Sequence, residues 1–137
     1  MGTVYAEITL KNAGDKIRVR DGTILEKDVR GTTVRALVDT GAGTLVINEA
    51  VRQQLGLEIT GLRGAELADG ARRAYQVTEP VEVHWKNRDT ACRALVLPGA
   101  GDVLLGAIPL EDMDLIVDPA GQELKGAHGD EVVCLVK

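Results

Sequence analysis

Short stretches of alternating apolar and polar residues, punctuated by glycine, asparagine, aspartate or proline, run through most of the chain. "TVYAEITL" (residues 3–10) alternates as a half-buried strand does, and "KNAGDK" closes it. "KIRVRDG" and "TILEKDV" flank Asp21-Gly22, a dipeptide that suits a tight hairpin because both residues tolerate positive φ, so two strands are expected there. "TTVRALV" predicts a strand running into a loop at Asp39, and "TLVI" a strand leaving it. In "NEAVRQQLGLEI" the spacing turns helical: Asn48 can cap, Ala50, Val51, Gln54 and Leu55 fit the period, and Gly56 fits the stop. "GAELADGARRAYQV" predicts two strands about Asp69-Gly70, while "PVEVHWKN" and "ACRALVLPG" predict alternating strands joined by a polar turn. "DVLLGAIPLEDMDLIVDP" predicts a strand end, a glycine and a short helix opened by Pro109, with Glu111 and Asp112 in its first turn, where acids suit the helix dipole. A final strand is expected at "EVVCLV". No repeat, linker or low-complexity segment interrupts the pattern, which predicts one mainly β domain over residues 1–137 with one or two short helices.

Composition narrows this picture. The 137 residues suffice for a single core, and with no Phe and only Tyr5, Tyr75 and Trp85 as aromatics, that core must be aliphatic. A net charge of −5 argues against a nucleic-acid partner, which needs a basic surface. No apolar run approaches the roughly 18 residues that span a bilayer. "MGTVYAEITLKN" lacks a basic segment followed by an apolar one, and Ala6 breaks a myristoylation signal at Gly2, so a cytoplasmic protein without membrane attachment is expected. Cys92 and Cys134, each inside an apolar run, read as small buried hydrophobes rather than a disulfide. His84 and His128 have no metal-ligand spacing and read as surface residues.

Candidate chemistry centres on "RALVDTGAGTLVI", where Asp39 stands between the apolar runs Ala36-Leu37-Val38 and Leu45-Val46-Ile47. A carboxylate in such company is costly to ionise alone. Either a partner shares its proton, or hydrogen bonds hold it for a structural purpose, as in a turn acid capping backbone amides. Gly41 and Gly43 do not make a dinucleotide fingerprint, because Val46 occupies the place of the third glycine and no βαβ period follows. A phosphate-cradling loop would need a Gly-Lys-Ser/Thr triplet that is absent. An aspartyl nucleophile for phosphoryl transfer lacks recognisable magnesium ligands.

Asp39-Thr40-Gly41-Ala42 after Leu37-Val38 resembles the catalytic loop of retropepsin-like (retroviral-type) aspartic proteases, most closely their small prokaryotic members. Ala68-Asp69-Gly70 falls where that family has its flap hairpin. Leu104-Leu105-Gly106 before a short helix resembles the second signature, which supports the loop. All three elements occur in the family's order. Two positions depart from it: Gly43 and Ala107 stand where retroviral enzymes carry an acid and an arginine that pair with each other. Losing both charges is more coherent than leaving one buried alone, but something else must then brace the loop.

The resemblance implies an acid-protease barrel with its active site at a homodimer interface, because one Asp-Thr-Gly supplies only half of the two-carboxylate apparatus. It implies hydrolysis of peptide or protein substrates by water held between paired Asp39 side chains, without metal or organic cofactor. Thr40 would lock the two loops across the axis, Gly41 would let substrate approach the backbone, and the flap would cover it. The terminal segments "TVYAEITL" and "EVVCLV" would supply the dimer sheet. A noncatalytic dimeric interaction module on the same fold is the alternative.

Overall fold

A computed structural model describes residues 3–136; Lys137, Met1 and Gly2, with the failed myristoylation signal, lie outside the described residues. Alternation in the first segment builds β1 (Tyr5–Asn12), whose Ala6, Ile8, Leu10 and Asn12 face inward. It pairs antiparallel with β2 (Gly31–Val38), Ala6 opposite Ala36 and Ile8 opposite Val34. After β2 come β3 (Leu45–Asn48), the flap strands β4 (Ile59–Glu66) and β5 (Arg72–Thr78), then β6 (Val81–Trp85), β7 (Arg88–Cys92), β8 (Ala94–Leu97) and the two-residue β9 (Leu104–Leu105). These nine form one sheet in the order β4-β5-β8-β3-β9-β2-β1-β6-β7, curled into a half-barrel. The retropepsin-like, mainly β expectation therefore holds. Its core is aliphatic, with Ile8, Leu10, Leu45, Ile47, Leu55, Leu57, Leu105 and Met113 essentially inaccessible.

Among the described residues three helices, rather than the one or two expected, decorate the sheet. Asn48 caps α2 (Glu49–Leu55) by accepting from the Val51 amide at 2.8 Å, and Gly56 stops it in the left-handed region at φ 63°, both as expected. The expected strands at "KIRVRDG" and "TILEKDV" are instead α1 (Ala13–Arg20) and a single 3-10 turn, Glu26–Asp28. Capping outweighs the Ile-Arg-Val-Arg alternation: the buried Asn12 side chain accepts from the Asp15 amide, and Arg18 and Arg20 sit in the last turn, where cations suit the dipole. Asp21-Gly22 ends that helix rather than turning a hairpin, with Gly22 at φ 78°. The third helix, α3 (Ala107–Asp112), starts two residues before Pro109, so Glu111 and Asp112 fall in its last turn.

Further differences lie toward the C-terminus. The expected polar turn after β6 is only Lys86-Asn87, and "ACRALVLPG" is divided at Arg93 between β7 and β8, which have different neighbours. A separate hairpin, β10 (Leu115–Asp118) with β11 (Glu123–Gly126), follows α3. "EVVCLV" is not a strand: among the described residues its one strand-type pairing is the bridge between His128 and Glu131. No helix among the described residues is long and apolar enough to cross a membrane.

One buried polar cluster ties the helices to the sheet. Asn12 also donates through Nδ2 to the Leu55 carbonyl at the end of α2, at 2.9 Å. Next to it, Asp15 accepts from Arg18 Nη1 and from the backbone N, Nε and Nη2 of Arg30, at 2.7–3.0 Å. Hydrogen bonds from the Arg30 side chain hold the Asp15 carboxyl far below its ordinary value, against the opposing effect of burial. A depressed carboxyl stabilises the fold fully above about pH 4, its unfolded value, and that contribution is lost as the pH falls below it. Asp15→Asn is thus expected to cost about 2 kcal/mol at neutral pH, with urea midpoints of variant and wild type converging as the pH is lowered toward 2.

Candidate active site

The Asp39 loop is held almost wholly by backbone. Leaving β2, the Leu37 amide donates to Val103 O (2.8 Å) and the Asp39 amide to Leu105 O (3.0 Å), so the strand is tied to β9 up to the acid itself. β9 runs parallel to β2 and antiparallel to β3, filling the gap between the loop's two arms. Within the loop, Ala42 N donates to Asp39 O at 3.1 Å and Gly41 N to Asp39 Oδ1 at 2.9 Å. The Asp39 side chain is half-buried, whereas Thr40 and Gly41 are exposed. A Cβ at Gly41 would stand 3.2 Å from that carboxylate oxygen, so glycine keeps its approach open.

What braces the loop in place of an ion pair at Gly43 and Ala107 is now visible. Two amides of the first turn of α3, Ala107 N and Ile108 N, donate to Ala42 O (2.8 Å) and Gly43 O (3.2 Å). These are donors a helix leaves unsatisfied, so the contact serves both elements. It requires close approach at Gly106, where a Cβ would lie 2.2 Å from Thr44 O and 2.6 Å from Ala42 O. Thr44, in turn, donates to the Arg93 carbonyl at 3.2 Å.

Above this loop lies a cleft of about 480 Å³. Its floor is Gly41–Thr44, its walls are the apolar Val46, Leu95, Leu97, Leu104 and Ile108, and its roof is the flap from Arg63 to Leu67 with Tyr75. Of the residues singled out in sequence, Gly41, Ala42 and Leu104 line this cleft, whereas Asp39 and Thr40 do not. Leu105 is wholly buried in the core, while Leu104, its neighbour on the opposite face, lines the cleft. Ala68, Asp69 and Gly70 form the flap tip, where Asp69 Oδ1 accepts from Ala71 N and Gly70 has φ 84°, but none of the three lines the cleft. The flap residues that do, Arg63 to Leu67 and Tyr75, were missed in sequence: five of them are consecutive, so no strand alternation singles them out.

Other residues considered in sequence lie elsewhere. Cys92 is half-buried at the end of β7, and burial pushes its thiol up, but Cys134 is exposed rather than buried. Asp114 is half-buried and anchors the C-terminal segment: it accepts from Val133 N at 3.0 Å and pairs with His128 at 2.7 Å. The His128 contact, chiefly, holds its carboxyl low. His84 sits beside Glu82 at 2.5 Å. Among the described residues, no group of three His, Cys, Asp or Glu is placed to hold a metal ion.

Because Gly106 has ordinary φ, its substitution tests the close approach alone. Gly106→Ala should lower stability by about 1–3 kcal/mol in urea denaturation, whereas Gly43→Ala, where a Cβ meets nothing within 4 Å, should stay within about 0.5 kcal/mol of wild type.

Comparison with known proteins bears on the same elements. Residues 25–112 match the family model described as "gag-polyprotein putative aspartyl protease". Among solved structures, the chain is similar to the retroviral protease-like domain of Ddi1 from Leishmania major, at 16% identity and a TM-score of 0.55, over 91% of this chain and 88% of that one. At that identity the likeness shows the fold alone. No curated protein matches in sequence. The family match spans more than half of the chain, from before β2 to the end of α3, and takes in the Asp39 loop, the flap and the Leu104-Leu105-Gly106 turn: the chain belongs to the gag-polyprotein aspartyl protease family.

Proposed function

We propose that this protein is a cytoplasmic aspartic endopeptidase that works as a homodimer, with one Asp39 from each subunit forming the catalytic pair. The observation that carries the reading is that the loop bearing Asp39 is braced by α3 and that its next residues, Gly41–Thr44, floor a flap-covered cleft. One carboxylate cannot at once take a proton from water and give one to a carbonyl oxygen. Two facing each other can, because close like charges hold a single proton between them. The ionised member removes a proton from water as the oxygen attacks the scissile carbon, and the protonated member gives its proton to the carbonyl oxygen. Collapse of the tetrahedral intermediate returns a proton to the leaving nitrogen, so one water is consumed per bond broken.

Features of the single chain suit such a dimer. Thr40 is exposed and, among the described residues, its hydroxyl has no hydrogen-bond partner, which leaves it free for a bond across the axis. On the β6 side of β1, pairing covers only Thr9 to Asn12, so Tyr5 to Ile8 present an open edge. It faces a groove of about 540 Å³ that Trp85 and Leu124 help to line. Val132, Val133, Leu135 and Val136 are exposed on a segment with no strand partner of its own. An open edge and an unpaired apolar segment in one chain are complementary between two copies.

One observation favours the noncatalytic module: Asp39 Oδ1 already accepts from Gly41 N, as a turn acid would. The two readings part on one variant. Asp39→Asn should lower peptide cleavage by about a thousandfold or more while leaving the dimer, followed by sedimentation, unchanged. Pepstatin should inhibit the wild type at mildly acidic pH. A wild type that cleaves no peptide library, yet dimerises, would favour the module, and a strict monomer would remove the paired-acid mechanism.

A further inference from the structure

The roof of the cleft carries a charge that the chain does not use. Along β4, Arg63 and Ala65 share a face, and the cross-strand partner of Arg63 is Tyr75, which like Ala65 is half-buried. Both Arg63 and Tyr75 line the cleft. Among the described residues Arg63 forms no ion pair and no hydrogen bond through its side chain, whereas Arg18, Arg30, Arg52 and Arg88 are all engaged with carboxylates or carbonyls. Glu66, the only acid among the described residues that line the cleft, stands opposite Arg72 in register and on the other face of β4 from Arg63. Beneath Arg63 the walls are aliphatic: Val46, Leu95, Leu97, Leu104 and Ile108. Arg63 is exposed, so its guanidinium, without an ion-pair partner among the described residues, is open to an anion that a peptide in the cleft brings.

We propose that Arg63 sets substrate preference: the cleft takes a peptide with an aliphatic side chain at the scissile bond and a glutamate or aspartate beside it, whose carboxylate pairs with the Arg63 guanidinium. The proposal rests on the endopeptidase reading for the cleavage step but not for binding. In a symmetric dimer each flap brings one Arg63, so acidic residues are favoured on both sides of the scissile bond. Arg63 has no hydrogen bond or ion pair with Asp39 among the described residues, and its role is specificity, not proton transfer.

The test uses synthetic octapeptides with a Leu-Leu centre and flanking Glu, Gln or Lys. Binding is measured by isothermal titration to the full-length Asp39→Asn chain, and cleavage by the wild type is followed in parallel. Glu peptides should bind the Asp39→Asn chain about fivefold to tenfold more tightly than Gln peptides at low salt, and the margin should shrink in 0.5 M NaCl. Adding Arg63→Met should erase that margin while keeping the preference for a Leu over an Asn centre, and adding Arg63→Glu should turn the preference to Lys. Equal binding of Glu and Gln peptides, or a Glu preference that survives Arg63→Met, overturns the proposal. Wild-type cleavage without acid preference also overturns it, and leaves the endopeptidase reading intact. Selective binding without any cleavage supports the role of Arg63 and removes the endopeptidase reading.

Discussion

The backbone contact between the Asp39 loop and the Gly106–Ile108 turn is the constraint on which the site depends. Two helix amides meet two loop carbonyls, and the approach is so close that Gly106 has no room for a side chain. The bonds from β9 fix the near arm of the loop, and this contact fixes the far arm, where the charges that pair in retroviral enzymes are replaced by Gly43 and Ala107. A backbone brace differs from an ionic one in kind. It brings no desolvation penalty for burying charge and is indifferent to salt. It also depends on the placement of α3, which is why the buried Leu110 and Met113 matter to a loop they do not touch in sequence.

The same economy appears in how short strands serve two surfaces. β9 is two residues long, yet Leu105 closes the core and Leu104 opens on the cleft. β3 and β8 do likewise, with Leu45, Ile47, Ala94 and Val96 buried and Val46, Leu95 and Leu97 along the cleft wall. The apolar cleft is thus the reverse face of the sheet that makes the core, and a curled sheet of continuous aliphatic runs produces both at once.

How much of this could be read in the chain follows from where the determining forces lie. The Asp39 loop, the flap and α2 were legible because their signals are local: a turn dipeptide, a cap, a left-handed glycine. Likewise Leu104-Leu105-Gly106 was legible as a motif, but the bracing amides were not, since they arise from sixty-odd residues of intervening chain bringing α3 to the loop. α1 was misread as strand because Ile-Arg-Val-Arg alternates with the strand period, and the choice was made by buried Asn12 and by the Asp15–Arg30 pair, a contact between segments. Cys134 was misjudged for a related reason: an apolar sequence says that a segment prefers burial, not that its own chain provides the partner.

That last point gives the anchored C-terminal segment its interest. Asn87 holds the Asp130 carbonyl and Asp114 holds the Val133 amide, so the backbone is fixed in direction as far as residue 133. Ordering a free residue costs about 1–2 kcal/mol, and here that cost has already been met within the monomer for most of the segment. Should two copies pair through it, the residues as far as 133 would bring little ordering cost to the encounter. The anchoring acid would then act as a splint, making self-association cheaper without adding a single contact to the interface itself.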